Sequence, residues 1–222
     1  MIDIKYKEEK KLLDIETIVT LAIVLICMLL FSFFPIERNY FQEIAISLTF
    51  LFFVPFLYIK VILKKRLVDF GFQIVKWKEG FLIMPVCFLI MAFLFYVVFK
   101  YTDFKEQYFL GNYEMTSSFL YLFVYEFIAV NLIVFLYEVF FRGFIMFYFK
   151  DKLDIYAVFV QFVIFLIFLY MLGEFSLDYI FYMVTAFLAG LIAFRSKSLL
   201  YSYLFSIIVL IVSDIIYLKL TK

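Results

Sequence analysis

The sequence predicts an all-α integral membrane protein, a polytopic transmembrane helical bundle with about seven spanning helices. The first observation is composition: of 222 residues, 68% are hydrophobic and 24% aromatic, with a mean hydropathy of +1.08. Soluble globular domains are nearer half apolar. The second observation is that the apolar residues form long runs with short polar connections, and about 20 such residues cross a bilayer. We therefore expect a single membrane domain, residues 1–222, with the lipid bilayer as its surroundings.

Seven hydrophobic segments account for nearly the whole chain. The first follows several lysines, as in a signal peptide, but its end at Phe33-Phe34-Pro35-Ile36 lacks a small-residue cleavage pattern, which predicts a retained anchor. The fourth is about thirty residues long, more than a perpendicular crossing needs, and predicts a tilted or extended helix. The segments lie at Ile18–Phe34, Ile44–Leu63, Phe81–Phe99, Phe119–Phe149, Ile155–Leu172, Leu177–Phe194 and Leu199–Leu218.

The basic residues predict the orientation of the bundle. With the N-terminus inside, 15 of the 20 Lys and Arg residues fall on the cytoplasmic side and 5 on the other. Because cytoplasmic loops carry the excess of Lys and Arg, this favours a cytoplasmic N-terminus and an outside C-terminus. Richness in Phe, Tyr, Ile and Lys is typical of an AT-rich genome and suggests a prokaryotic cell membrane. The net charge of only +1 argues against nucleic acid as a partner.

Polar residues in the fourth segment mark a candidate site. Glu126, Asn131, Glu138 and Arg142 interrupt an otherwise apolar run. Glu138 and Arg142 are four residues apart and so share one face of a helix. Ionisable side chains at membrane depth are costly and usually face a bundle interior or a wet cavity. Two interpretations remain open: a buried ion pair that fixes packing, or a pair with a direct functional role.

The run around this pair resembles a known motif. Tyr137-Glu138-x-x-x-Arg142-Gly143 is similar to Glu-Glu-x-x-x-Arg, the first motif of the CAAX-protease and bacteriocin-processing (CPBP, or Abi) intramembrane proteases, except that Tyr137 replaces the first glutamate. The resemblance covers about residues 60–212 and implies a CPBP-like helical fold derived from an endopeptidase. Weaker similarities occur at Leu67–Phe72, Trp77–Gly80, Phe187–Leu191 and Ser198–Tyr201.

The family's histidines are absent, because this chain contains no histidine. The second family motif ends in His and the third is His-x-x-x-Asn or Asp. The hydrophobic framework matches the second motif to Phe165-x-x-x-Leu169, or alternatively to Phe162-x-x-x-Leu166, and the third to Ser206-x-x-x-Leu210. Leu169, Ser206 and Leu210 therefore stand at positions where the resemblance implies catalytic residues.

These replacements predict a loss of activity. Peptide hydrolysis needs a base that activates water and a donor or metal that stabilises the oxyanion, and leucine supplies neither. A zinc site assembled from His or Cys ligands is not expected either, because the chain has no histidine and its two cysteines, Cys27 and Cys87, lie in different segments. We predict no cofactor and interpret both cysteines as packing residues. Ala186-x-x-x-Gly190 has the small-residue spacing that lets helices approach closely, and we expect it to pack within the chain.

Depth along the helices predicts which of these positions meet. Glu138, Leu169 and Ser206 lie about 18, 21 and 12 Å from the cytoplasmic ends of their segments, at about 1.5 Å per residue. Similar depth from the same side is what a shared cavity requires. The remnant site would then consist of Glu138 and Arg142, with Tyr137 as a packing ring.

Three functional hypotheses follow. The first is a catalytically degenerate CPBP relative that binds a peptide or a membrane-protein partner. The second is an active intramembrane endopeptidase that uses Glu138 together with Tyr137 or Ser206. The third is a small transporter in which Glu126, Asn131 and Glu138 line a path for an ion or solute.

Overall fold

The computed structural model describes residues 14–34, 40–74, 76–101, 128, 130–176 and 179–220. Within these ranges the chain is helical and forms no strand, which confirms the all-α prediction for this part of the molecule. Glu126 and the start of the predicted fourth segment lie outside the described residues. The helices are α1 (Ile15–Phe33), α2 (40–62), α3 (Trp77–Tyr101), α4 (Asn131–Leu153), α5 (Tyr156–Leu172), α6 (Ile180–Ser196) and α7 (Leu199–Leu220).

Five of the described helices are long and apolar enough to cross a membrane, namely α1, α2, α3, α4 and α7. They indicate a membrane protein. Helices α5 and α6 are also apolar but have 17 residues each. A helix of that length rises about 26 Å, slightly less than the roughly 30 Å hydrocarbon core. Five helices therefore meet the length expected of a span, and a total of seven spans stays a prediction.

The helix ends follow local sequence signals. Asp14 has extended backbone angles, and its carboxylate accepts a hydrogen bond from the Thr17 amide at 2.7 Å, so that it caps α1. Helix α5 ends at Gly173, whose φ of +74° lies in the left-handed region that glycine adopts without strain. Lys197 takes a similar conformation, with φ +55°, in the short turn between α6 and α7. Helices α6 and α7 therefore form a tight hairpin.

Helix α4 occupies the centre of the bundle. In its apolar stretch 78% of the residues are buried, against 22 to 44% in the other four long helices. It packs against α2, α5, α6 and α7, and α3 packs on the outside of α6 and α7. The buried apolar side chains accordingly form one cluster around α4 and a second between α3, α6 and α7. The side chains of α4 are therefore largely shielded by the neighbouring helices.

Two helices are widened into π-helix over part of their length. In α2, π-helical turns occur at Leu48–Phe53 and Tyr58–Ile62, on either side of Pro55. Proline lacks an amide donor and its ring clashes with the carbonyl four residues earlier, which accounts for a disturbed ladder there. In α4 the π-helix covers Glu138–Met146, and all nine residues are buried. Such turns are rare and frequently occur at functional sites.

Polar contacts tie several helix ends together at one end of the bundle. The Lys152 ammonium at the end of α4 lies 2.9 Å from the Asp14 carboxylate at the start of α1. Lys65, after α2, pairs with Glu16 of α1 at 3.2 Å. The first amide of α7 donates to the carbonyl of Gly71 at 3.0 Å. The helix ends that the sequence assigns to the cytoplasmic side therefore lie together.

Candidate functional site

The Glu138 and Arg142 pair lies in the buried centre of the bundle, where the two residues are only 1% and 3% exposed. Their spacing on α4 brings Arg142 Nη1 to 3.6 Å from Glu138 Oε1. Ser206 of α7, also buried, donates its hydroxyl to the same carboxylate oxygen at 2.7 Å. The predicted meeting of Glu138 and Ser206 is therefore observed.

Helices α5 and α6 complete the surroundings of Arg142. Arg142 Nη2 donates to the main-chain carbonyl of Ala186 at 3.0 Å. Gln161 of α5 donates its side-chain amide to the same carbonyl at 3.3 Å. A Cβ atom on Gly190 would lie 2.6 Å from the Gln161 amide nitrogen, so glycine is what makes room for this side chain. The Ala186 and Gly190 pair thus serves packing between α5 and α6, as the sequence predicts.

We call Glu138, Arg142, Gln161, Ser206 and the Ala186 carbonyl the polar cluster. Three of its atoms, Glu138 Oε2, Arg142 Nε and Gln161 Oε1, are buried without a hydrogen-bond partner in the described part of the chain. A buried polar group left unpaired costs about 1–3 kcal/mol. Chemically the cluster offers two free acceptors, Glu138 Oε2 and Gln161 Oε1, and one free donor, Arg142 Nε, and the charges of Glu138 and Arg142 cancel. That set complements a group that both donates and accepts hydrogen bonds.

The remaining sequence-predicted positions lie among apolar side chains. Tyr137 packs its ring edge-to-face against Phe141 and Phe168, at centroid distances of 5.9 and 5.8 Å, which agrees with its interpretation as a packing ring. Leu169 is buried in the last turn of α5. Gln161 lies eight residues earlier, about 12 Å along the helix axis. Helix α5 therefore reaches the polar cluster through Gln161, and Leu169 makes no polar contribution.

Two further positions flank the polar cluster. Leu210 is buried on α7, four residues beyond Ser206. Asn131, at the start of α4, accepts a hydrogen bond from the hydroxyl of Tyr203. It lies seven residues, or about two turns, before Glu138, so the two residues share one face of the helix. This face forms a polar seam with α7, and the Asn131 amide oxygen is already occupied within it.

The polar cluster is closed to solvent. Its charged side chains are nearly inaccessible, whereas the sequence analysis expected a cavity shared by Glu138, Leu169 and Ser206. A cavity of about 10 Å³ does occur next to α4, but its walls are apolar and include Val139, Phe144 and two aromatic rings of α2, Phe52 and Phe56. It does not contact the polar cluster. Entry of any partner to Glu138 therefore requires the surrounding helices to move.

Gln161 is the member of the polar cluster that sequence reasoning missed. It is the single amide side chain in the 17 residues of α5, a helix that is otherwise apolar apart from the hydroxyl groups of its tyrosines. A lone polar residue at membrane depth is itself a signal of a buried partner. Motif comparison directed attention to Leu169, because the hydrophobic framework aligns that residue with the histidine at the end of the second family motif.

The cysteines take no part in this site. Cys27 belongs to the apolar cluster around α4, and Cys87 to the one formed with α3. Both are buried free thiols, which agrees with their interpretation as packing residues. In the residues that the structure describes, no group of three or more His, Cys, Asp or Glu side chains is arranged to hold a metal ion.

Comparison with known proteins finds no relative for this chain: no protein-family model, no curated protein and no solved structure matches it. The assignment of this chain to the membrane proteins therefore rests on its apolar helices. The likeness to CPBP proteases stays a prediction that depends on Glu138, Arg142 and Gly143.

Proposed function

We propose that this protein is a catalytically inactive relative of the CPBP intramembrane proteases, and that its polar cluster binds a peptide segment or a membrane-protein partner. The observation that carries the proposal is the convergence of Glu138, Arg142, Gln161 and Ser206 in the buried centre of the bundle, with polar atoms left unpaired. Apolar residues of similar volume are often as stabilising as a buried ion pair, or more so. Recognition therefore explains the cluster better than stability does.

Several features support binding over hydrolysis. Glu138 is held by Arg142 and Ser206, so its carboxylate is partly occupied before any water approaches. Leu169 and Leu210 stand where the resemblance implies a histidine and an amide or acid, and neither can transfer a proton. The site retains a carboxylate and a guanidinium but lacks the groups that would activate water and protonate a leaving amine.

The free atoms favour a peptide as the partner class. Glu138 Oε2 and Gln161 Oε1 accept hydrogen bonds, and Arg142 Nε donates one. Backbone N–H and C=O groups of an unwound peptide segment supply the complementary set. The absence of net charge in the pair suits a neutral peptide unit better than an ion. Such a segment would reach the site by separating α4 from α5 or α7.

We also propose the arrangement of the chain in its membrane. Helices α5 and α6 complete a seven-span bundle in a prokaryotic cell membrane, with the N-terminus in the cytoplasm and the C-terminus outside. The support is the distribution of Lys and Arg and the joining of the basic helix ends through Asp14, Lys152, Glu16 and Lys65.

Reconstituted protein tests this function with defined peptides. We would incubate wild type in nanodiscs with fluorescent tail-prenylated peptides and apolar leader peptides, and follow binding by anisotropy and cleavage by mass spectrometry. We expect binding without cleavage, weakened about tenfold by Gln161→Leu, since about 1.4 kcal/mol corresponds to one lost hydrogen bond of ordinary strength. Thr185→Val, next to Ala186 on α6, is the matched control because Thr185 contacts Met91 outside the polar cluster.

An active endopeptidase is the alternative, and one observation favours it. Glu138 Oε2 has no partner among the described residues, so this oxygen could accept a proton from water. That function requires turnover by wild type that is abolished by Glu138→Gln. Cleavage with this dependence would reject the inactive assignment, whereas intact peptides after prolonged incubation would reject the alternative.

A further inference from the structure

The central helix α4 is least covered at Phe135. Between Asn131 and Lys150, all of which the structure describes, Phe135 is the one exposed residue, at 37%. Its ring centroid lies 6.4 Å from that of Phe52 on α2 and 6.0 Å from that of Tyr203 on α7. Phe52 also lines the small apolar cavity next to α4, so the packing on this side is incomplete. Phe135 therefore marks the place where α2 and α7 leave α4 partly uncovered.

A hydrogen bond between α7 and α4 closes this place. The Tyr203 hydroxyl donates to the side-chain oxygen of Asn131. Asn131, Phe135 and Glu138 follow one another at spacings of four and three residues, so they lie along one face of α4. On α7, Tyr203 lies three residues before Ser206, whose hydroxyl donates to the Glu138 carboxylate. The Tyr203 side chain therefore lies over the face of α4 that carries Glu138, about one turn away from the carboxylate.

The faces of α4 that contact α5 and α6 are packed more tightly. Towards α5, aromatic rings of α4 lie 5.1 to 6.4 Å between centroids from rings of α5; the residues are Tyr137 and Phe141 on α4 and Phe165 and Phe168 on α5. Towards α6, Arg142 donates a hydrogen bond to a main-chain carbonyl at 3.0 Å. Opening α4 on either of these sides would break several buried contacts at once. The side next to α7 is therefore the one that opens most readily.

We propose that Tyr203 is a gate through which a partner's membrane segment enters from the lipid towards Glu138, and that the hydrogen bond to Asn131 holds this gate shut. The inference rests on the proposed binding function and adds the route by which the partner arrives. Opening breaks the bond to Asn131 and the ring contact with Phe135, and the half-buried Tyr203 side chain turns outwards. The freed amide and hydroxyl can then bond to backbone groups of the incoming segment.

The rate at which Glu138 reacts with an apolar carbodiimide measures this gate. We would add dicyclohexylcarbodiimide to the full chain in lipid nanodiscs and follow the adduct at Glu138 by peptide mass spectrometry, with Glu138→Gln as the blank. We expect Tyr203→Phe, which removes only the hydroxyl, to react about tenfold faster, the factor that corresponds to one ordinary hydrogen bond. Asn131→Leu should accelerate the reaction equally, and the double variant no more than either. Tyr58→Phe, which removes a hydrogen bond to Thr20 of α1 at 2.9 Å, should react as wild type does.

The outcomes distinguish the gate from the binding function. Labelling of Glu138 that is no faster in Tyr203→Phe than in wild type would overturn the gate. An equal increase in Tyr58→Phe would also overturn it, because the bundle would then have loosened as a whole. If Asn131→Leu does not fold, the comparison of the two Tyr→Phe variants decides.

The carbodiimide reaction needs no partner, so it supports the gate even where no peptide binds and the proposed function fails. Peptide association measured by anisotropy supplies the converse test. Peptides that bind wild type and Tyr203→Phe at the same rate would retain the binding function and reject this route.

Discussion

At the scale of single residues, the central question is how a carboxylate and a guanidinium are tolerated in an apolar bundle. Their closest approach of 3.6 Å is too long for the bidentate geometry that makes arginine pairs strong. Ser206 and the Ala186 carbonyl supply the hydrogen bonds that the pair does not supply to itself. Glu138 and Arg142 are therefore stabilised by α6 and α7 as much as by each other.

Removing one charge should be more damaging than removing both. We expect Glu138→Ala to lower the free energy of unfolding by about 3–5 kcal/mol, because Arg142 would be left buried and uncompensated. Glu138→Leu combined with Arg142→Met should recover most of that loss. Denaturant titration in mixed micelles measures both variants, and a double variant as unstable as the single would contradict this account.

The close packing of Gly190 leads to a second prediction about a single residue. An alanine there would place Cβ 2.6 Å from the Gln161 amide nitrogen, so one side chain must shift. We expect Gly190→Ala to cost about 1–3 kcal/mol of stability, as overpacked cores do. Because the clash is with Gln161, adding Gln161→Ala should restore stability relative to Gly190→Ala. Additive losses in this double-mutant cycle would show that Gly190 serves some other contact.

At the scale of elements, α1 is joined to α4 through its first residues. The hydrogen bond from the Thr17 hydroxyl, followed by that from Lys152, holds the pKa of the Asp14 carboxyl well below its usual range. The unfolded chain therefore takes up this proton first as the pH falls. The stabilisation is complete above about pH 4, the ordinary aspartate pKa, and is lost as the pH falls through the lowered pKa of the folded state.

This link predicts a pH-dependent melting temperature. Between pH 7 and pH 3, wild type should lose stability more steeply than Asp14→Asn, because the variant has no carboxyl to protonate at this position. The difference should be modest, since the carboxylate is partly exposed and solvent screens it. Thermal melts at several pH values check this, and parallel curves for the two proteins would exclude the proposed contribution of Asp14.

Some elements were predictable from sequence and others were not. The fifth and seventh apolar segments, Ile155–Leu172 and Leu199–Leu218, nearly coincide with α5 and α7, because polar turns interrupt the apolar runs where helices end. Counting residues from the polar connections also placed Ser206 near Glu138. The π-helical stretch of α4 could not be read from the sequence, because all nine of its residues are buried and no alternation of buried and exposed positions reveals the helix period. The pairing of Gln161 with α6 depends on how helices cross, which spacing within one helix does not encode.

At the scale of the whole molecule, a central helix lies inside a shell whose outer surface is apolar. Exposed Leu, Ile, Val and Phe side chains on α1, α3 and α7 suit lipid, whereas α4 is almost fully covered. The charged side chains at the joined helix ends lie outside that apolar surface. This separation agrees with a membrane protein whose functional residues are in its interior.

Orientation can be tested by labelling cysteines. Ile74, before α3, and Phe175, between α5 and α6, are exposed and lie on connections that the sequence assigns to opposite sides. Ile74→Cys should react with an impermeant maleimide only from the cytoplasmic side, and Phe175→Cys only from outside. The native Cys27 and Cys87 are buried and should remain unlabelled. Labelling of both introduced cysteines from one side would refute the seven-span arrangement.

The π-helix of α4 also limits which changes of chain length the protein tolerates. A π-helical turn holds one residue more than an α-helical turn, so deleting one residue between Gly143 and Met146 would let this stretch return towards an α-helix while the flanking turns keep their orientation. The same deletion within the regular α-helix at Asn131–Tyr137 would rotate the residues before it by about 100° relative to the end that is fixed by Lys152. Asn131 would then turn away from Tyr203. The widened stretch should therefore tolerate the loss of one residue better than the turns that precede it.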